Sequence, residues 1–173
     1  MAAGIYPLDE WERASPASVR LNLHKLAEAK EWLDGNVGDG RYRVVVVRDG
    51  RVAVEWNHGI DAAQQLRLAS AAKSVFSSVL GIAIAEGVIP SADARVVDFY
   101  PEALDVPKGK GPKDGRYAFQ KDRDITFRQL ISNTSGYMKP DEMPGRVFHY
   151  QTYGMNILTH AIAKAYGLYD VRD

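Results

Sequence analysis

The chain contains no cysteine, which excludes disulfide bridges and thiolate chemistry. A zinc site would have to rest on carboxylates and four scattered histidines, and His24, His58, His149 and His160 lack metal-ligand spacing. No apolar run approaches the ~20 residues that cross a bilayer. The opening stretch, "MAAGIYPLDEWERASP", has no basic region leading into an apolar one and does not read as a secretory signal. A cytoplasmic protein with no membrane partner is the expectation. Net charge is also missing: 22 basic residues face 22 acidic ones, so nothing drives the chain toward nucleic acid. No G-x-S-x-G elbow is present, which leaves a Ser-His-Asp hydrolase of that type unsupported. No internal repeat or low-complexity segment appears.

What is present is ordinary for a globular domain: 173 residues, 46% apolar and 25% charged, enough to bury a sizeable core. Ser15-Pro16 reads as an N-cap followed by the first helical position, and Val19, Leu23, Leu26 and Leu33 recur at helical spacing. An amphipathic helix is predicted over residues 16–34, stopped at Gly35. "RYRVVVVRDGRVAVEW", residues 41–56, predicts a β-hairpin turning at Asp49-Gly50. Val44 to Val47 are apolar on both faces, so that strand is expected to be covered on both sides. Further helices are predicted at 70–86, 126–132 and 152–166. Residues 96–100 read as a short segment stopped by Pro101, and 105–124 as a solvated loop diluted by Asp114, Asp122 and Asp124. "NTS" at 133–135 fits a glycosylation sequon but reads as the turn before Gly136.

The candidate chemistry lies in "RLASAAKSV", residues 67–75. Ser70 and Lys73 are three apart, so on a helix they share one face. An amine there can hydrogen-bond the hydroxyl. To accept its proton near neutral pH, a lysine needs its pKa lowered by about 3 from ~10.4, about 4 kcal/mol. Burial beside Phe76 and three alanines is expected to supply this, because desolvation disfavours the ammonium. Ser70 at a helix start would also offer an unpaired N–H and a favourable dipole to an oxyanion. The other reading is a Ser N-cap followed by a lysine reaching out to water.

The surrounding motifs bear on that choice. "LRLASAAKSVFSSVLGIAIAEGVIPSADARVVDFYPE", then "ITFRQLISNTSGY", then "PGRVFHYQTYGMNILTHAIAKAYG" resemble, in order and spacing, the serine β-lactamase and penicillin-binding-protein superfamily. Within it the chain is similar to the class C branch, with its family VIII esterases and 6-aminohexanoate-dimer hydrolases. The resemblance runs from about residue 41 to 167. It implies an α+β, β-lactamase-like fold, with an antiparallel sheet flanked by helices and a mainly helical part over residues 69–173. It also implies an acyl-enzyme on Ser70, with Lys73 and Tyr150 as base and proton relay.

Two departures from the family pattern shape the expectations. The Tyr-x-Asn element stands here as Tyr150, Gln151 and Thr152, with Tyr153 the rival tyrosine. A substrate-binding Thr152 keeps one hydroxyl but lacks the amide's separate donor and acceptor, which favours small esters or linear amides over β-lactams. The family's later KTG or HxG strand is also missing. The chain therefore reads as the front part of such an enzyme, complemented by a C-terminal fragment or by a second copy. The functional alternatives are a catalytically impaired, partner-dependent homologue, and a β-lactamase or D-amino-acid peptidase. No cofactor is called for. His149 could contact substrate but reads more simply as a surface imidazole.

Overall fold

The structure is a computed structural model that describes residues 9–168. It divides between residues 67 and 68 into two compact units. Both helices and antiparallel strands are present, in keeping with an α+β class.

The first unit holds one helix and one hairpin. Helix α1 spans Leu23–Asn36, and its cap is Asn22, whose side chain accepts from the Lys25 N–H at 3.0 Å. The predicted start at Ser15-Pro16 is thus displaced by about two turns. Ser15 does cap locally, accepting from the Ser18 N–H at 3.2 Å, but only over a single turn. Arg20, at φ +60°, then adopts a left-handed conformation that no helix can continue through. Gly35 lies inside α1 rather than ending it, and Val37 is the C-cap. None of the helix's residues is buried, so its apolar positions are not the buried stripe that their spacing suggested.

Strands β1 (Tyr42–Arg48) and β2 (Arg51–His58) form the predicted antiparallel hairpin. Asp49 and Gly50 turn it with φ of +51° and +74°, the geometry a two-residue hairpin loop favours. A register shift at Val46/Val47 marks a bulge. The strand is not covered on both sides: Val45 and Val47 are about half exposed, while Val52 and Val54 are buried on the partner strand. Residues 12–14 pair along β2, with the Ala14 N–H donating to Val52 O and the Val52 N–H donating to Glu12 O.

The second unit carries a hydrophobic core. Phe127, Leu130, Leu158, Ile89 and Val96 are its fully buried side chains, each stabilising by about 1.5–3 kcal/mol. They come from helix α3 (Phe127–Ile131), helix α4 (Thr152–Ala165) and the segments between. α3 is short but firmly started: Thr126 and Gln129 make a reciprocal capping box. The helical spacing of Met155, Leu158, Ile162 and Ala165 predicts one buried face; α4 buries the first three, and Ala165 is only partly buried. Pro101 does not stop the chain after Phe99 and Tyr100; it begins a 3₁₀ turn, Pro101–Leu104, that buries Ala103.

The helix expected at 70–86 is two elements. Ala69–Ser74 is a 3₁₀ turn, and helix α2 spans Val75–Ala85. The helix is only partly buried. Leu80 and Ala83 join the core, whereas Val75, Val79 and Ile82 are exposed.

The loop over 105–124 is only partly solvated. Asp122 is 2% exposed, although its polarity suggested a surface residue. Its carboxylate accepts from the Phe119 and Met138 N–H groups at 3.0 and 3.1 Å and from Lys121 Nζ at 2.7 Å. Lys121 also donates to Gly136 O at 2.8 Å. These bonds fasten residues 119–122 to the turn at 136–138. The burial is satisfied, because every polar atom of the carboxylate side has a partner.

Candidate active site

Ser70 and Lys73 lie on the 3₁₀ turn that leads into α2. Their proximity follows from local geometry, since residues three apart eclipse one another in a 3₁₀ helix. Lys73 Nζ donates to Ser70 Oγ at 2.9 Å. Ala69, immediately before the serine, sits at φ +46°, a conformation that costs an L-residue about 1–2 kcal/mol. The strained residue sets Ser70 at the beginning of the turn, where its N–H has no backbone acceptor among the described residues. Ser70 is exposed and Lys73 partly buried, so the apolar enclosure expected around the amine is not what surrounds it.

Tyr150 comes from the loop before α4. Its ring faces Lys73, with Nζ 5.5 Å from the ring centroid. The Tyr150 pKa is lowered, first by hydrogen bonding to Ser70 and then by Lys73. Both groups favour the phenolate, as donors to an anion do. The hydrogen-bond directions are mutually consistent. Lys73 donates to Oγ, so the serine's own O–H remains available to the phenol oxygen. Tyr150, rather than Tyr153, is the tyrosine brought to this pair; Tyr153 lies on the first turn of α4.

The loop carrying Tyr150 is held from both sides. The His149 N–H donates to Asn133 O at 2.8 Å, and the Gln151 N–H to Asn133 Oδ1 at 3.2 Å. Gln151 Nε2 reaches the buried Ser135 Oγ at 3.0 Å. Asn133, at φ +56°, and Gly136, at φ +59°, shape this turn. A Cβ on Gly136 would lie 2.1 Å from Glu142 O, so only glycine fits. Asn133 and Ser135 were visible as a turn, but their hold on the tyrosine loop depends on contacts 16 to 18 residues away. His149 bonds to Glu142 Oε1 at 3.0 Å through Nδ1, and Glu142 also accepts from the buried Lys139 at 2.8 Å.

Thr152 is the first residue of α4 and is exposed. It lines a pocket of about 250 Å³ together with Tyr150, Gln151 and Tyr153. Lys113 and Arg116, from the loop that looked merely solvated, form part of the same wall. No helix among the described residues is long and apolar enough to cross a membrane.

A serine bonded to a lysine one turn on, with a phenol beside both, is the set of groups that acyl transfer to a hydroxyl requires. The family model for Beta-lactamase matches residues 37–172, and the chain belongs to that family. Its members are generally hydrolytic serine enzymes. A search of curated proteins finds no match to the chain.

Proposed function

We propose that the chain is a serine hydrolase that cleaves ester or linear amide bonds through an acyl-enzyme on Ser70. The observation carrying this reading is the Ser70–Lys73–Tyr150 cluster, with its 2.9 Å bond and the lowered phenol pKa. Ser70 Oγ attacks the carbonyl carbon and its proton passes to the Tyr150 oxygen. Lys73 donates to Oγ and stabilises the phenolate, a role that does not require an enclosed amine. The tetrahedral oxyanion, met by the Ser70 N–H, collapses and expels the alcohol or amine, which takes the proton back from Tyr150. Water then attacks the acyl group, Tyr150 accepts its proton, and Ser70 leaves reprotonated as the acid is released.

The spacing of Ser70, Lys73 and Tyr150 supports placement in the class C-like branch, near family VIII esterases and 6-aminohexanoate-dimer hydrolases. Thr152 in the third position of the Tyr-x-Asn element supports esters and linear amides over β-lactams. The test is turnover of 4-nitrophenyl butyrate, a linear anilide and a chromogenic cephalosporin by the wild type and by Ser70→Ala. Ester or anilide turnover that exceeds cephalosporin turnover and disappears in Ser70→Ala is expected. Turnover that survives in Ser70→Ala overturns the reading, and no turnover of any substrate favours a non-catalytic, partner-dependent module.

A further inference from the structure

The pocket beside Tyr150 has one charge sign. Its lining includes Lys113, Arg116, Lys139 and His149, and no aspartate or glutamate. Two of these four are already satisfied: Lys139 donates to Glu142 at 2.8 Å, and His149 lies 3.0 Å from the same carboxylate. The other two are not. Among the described residues the Arg116 guanidinium donates to Met138 O alone, through Nη1 at 3.3 Å, and Lys113 has no carboxylate partner. The rest of the guanidinium fork has no partner among the described residues, and a fork of that shape matches a carboxylate.

The loop is built to hold this residue there. Gly111 packs against the backbone carbonyl of Arg116 so closely that a Cβ could not be accommodated. The Arg116 N–H donates to Lys113 O at 3.0 Å, which closes a turn and brings the two cations to one wall. The rest of the lining is largely aromatic and polar and includes Tyr137, Tyr150, Thr152 and Tyr153. Tyr150 belongs both to this wall and to the Ser70–Lys73 cluster. Tyr150 is thus the residue that links the pocket to the Ser70–Lys73 pair.

We infer that this pocket selects substrates bearing a carboxylate, held by Arg116 and Lys113 while the scissile carbonyl lies at Ser70. The inference rests on the serine-hydrolase reading for the second half of that statement; the anion site itself does not. Arg116 and Lys113 are binding residues for the substrate's charged end and take no part in bond making.

Two measurements keep these apart. The first compares the 4-nitrophenyl half-ester of glutaric acid with neutral 4-nitrophenyl valerate, and an ester carrying its carboxylate on the alcohol side with its neutral counterpart. One charged member should show a KM about tenfold or more below its neutral partner, as a charge-assisted contact provides. Arg116→Ala with Lys113→Ala should raise that KM to the neutral value and shift the KM of the neutral ester much less. Arg116→Lys should restore part of the preference. Whichever member responds tells whether the carboxylate sits on the acyl or the leaving side.

The second measurement is calorimetric titration of glutarate into the Ser70→Ala chain, where no turnover is needed. Saturable binding that weakens with salt and disappears in the double variant is expected. Glutarate binding without ester turnover would retain the anion site and remove the hydrolase reading. Equal KM values for every charged and neutral pair, or glutarate binding unchanged in the double variant, would overturn the inference.

Discussion

Replacing Asp122 with alanine should be among the most damaging single changes in the second unit. The carboxylate is 2% exposed and holds two backbone N–H groups, from Phe119 and Met138, together with the Lys121 ammonium. Alanine removes both acceptor oxygens and so all three hydrogen bonds at once. Each stranded N–H costs about 1–3 kcal/mol, and an uncompensated buried charge adds to this. Lys121 keeps its bond to Gly136 O and a small exposure, which tempers the loss. A total of about 3–5 kcal/mol follows, the usual cost of breaking a buried pair. Asp122→Asn keeps the shape and one acceptor, so about 1–3 kcal/mol is expected for it. Urea unfolding followed by circular dichroism measures both, with the slope unchanged if the denatured state is unaffected. The site should also respond. Asp122 anchors Met138 and, through Lys121, Gly136; the same turn holds His149 and Gln151 on either side of Tyr150. A loss below about 1 kcal/mol in Asp122→Ala, or an intact site after a large loss, would refute the reasoning.

Four further outcomes follow from the same geometry. Gly136→Ala must place a methyl 2.1 Å from Glu142 O at φ +59°, so at least about 2 kcal/mol of stability should be lost in the same unfolding assay. Phe127→Ala empties a fully buried site that meets Phe99 edge-on at 5.5 Å, and about 3–5 kcal/mol should be lost. Tyr150 carries a pKa held below the ordinary tyrosine value by Ser70 and Lys73, so kcat/KM should rise with pH through that lowered pKa as the phenolate forms. Tyr150→Phe should flatten this limb and reduce the rate by about 10²–10⁴-fold, which a pH–rate series reads directly. Tyr137, buried with its O–H donating to Ala103 O at 2.5 Å, has its pKa raised by desolvation. The phenol ionises first in the unfolded chain, so stability is intact below pH ~10 and falls above it by up to about 1.4 kcal/mol per pH unit. Chemical unfolding between pH 9 and 11, compared with Tyr137→Phe, tests the sign.

Local signals in the sequence carried the elements whose causes are local. Asp49-Gly50 between two β-branched runs specified the hairpin, because positive φ at both residues is a property of those residues alone. The 3.6-residue spacing of Met155, Leu158 and Ile162 specified the buried face of α4. Ser70 and Lys73 could be paired because residues three positions apart meet on any helical turn. Other features have distant causes. The start of α1 depends on Arg20 adopting φ +60° and on Asn22 as the cap, so Ser15-Pro16, a sound start signal by itself, was overridden. Asp122 looked like a surface acid because its three donors lie at residues 119, 121 and 138, and only tertiary folding collects them. The surroundings of Lys73 were misjudged for a related reason: an apolar stripe marks which face can be buried, not whether something covers it, and Val75, Val79 and Ile82 are exposed. Lys113 and Arg116 escaped notice because a Gly- and Pro-rich loop gives no periodic signal, although Gly111 records the close approach that folds it back.

The central claim is that Ser70 is a nucleophile activated by Lys73 and Tyr150. A fluorophosphonate probe followed by intact-mass measurement tests it most directly. One adduct per chain is predicted, mapped to the peptide containing Ser70, absent in Ser70→Ala and formed much more slowly in Tyr150→Phe. No adduct on the folded wild-type chain, or an adduct that persists in Ser70→Ala, would contradict the claim.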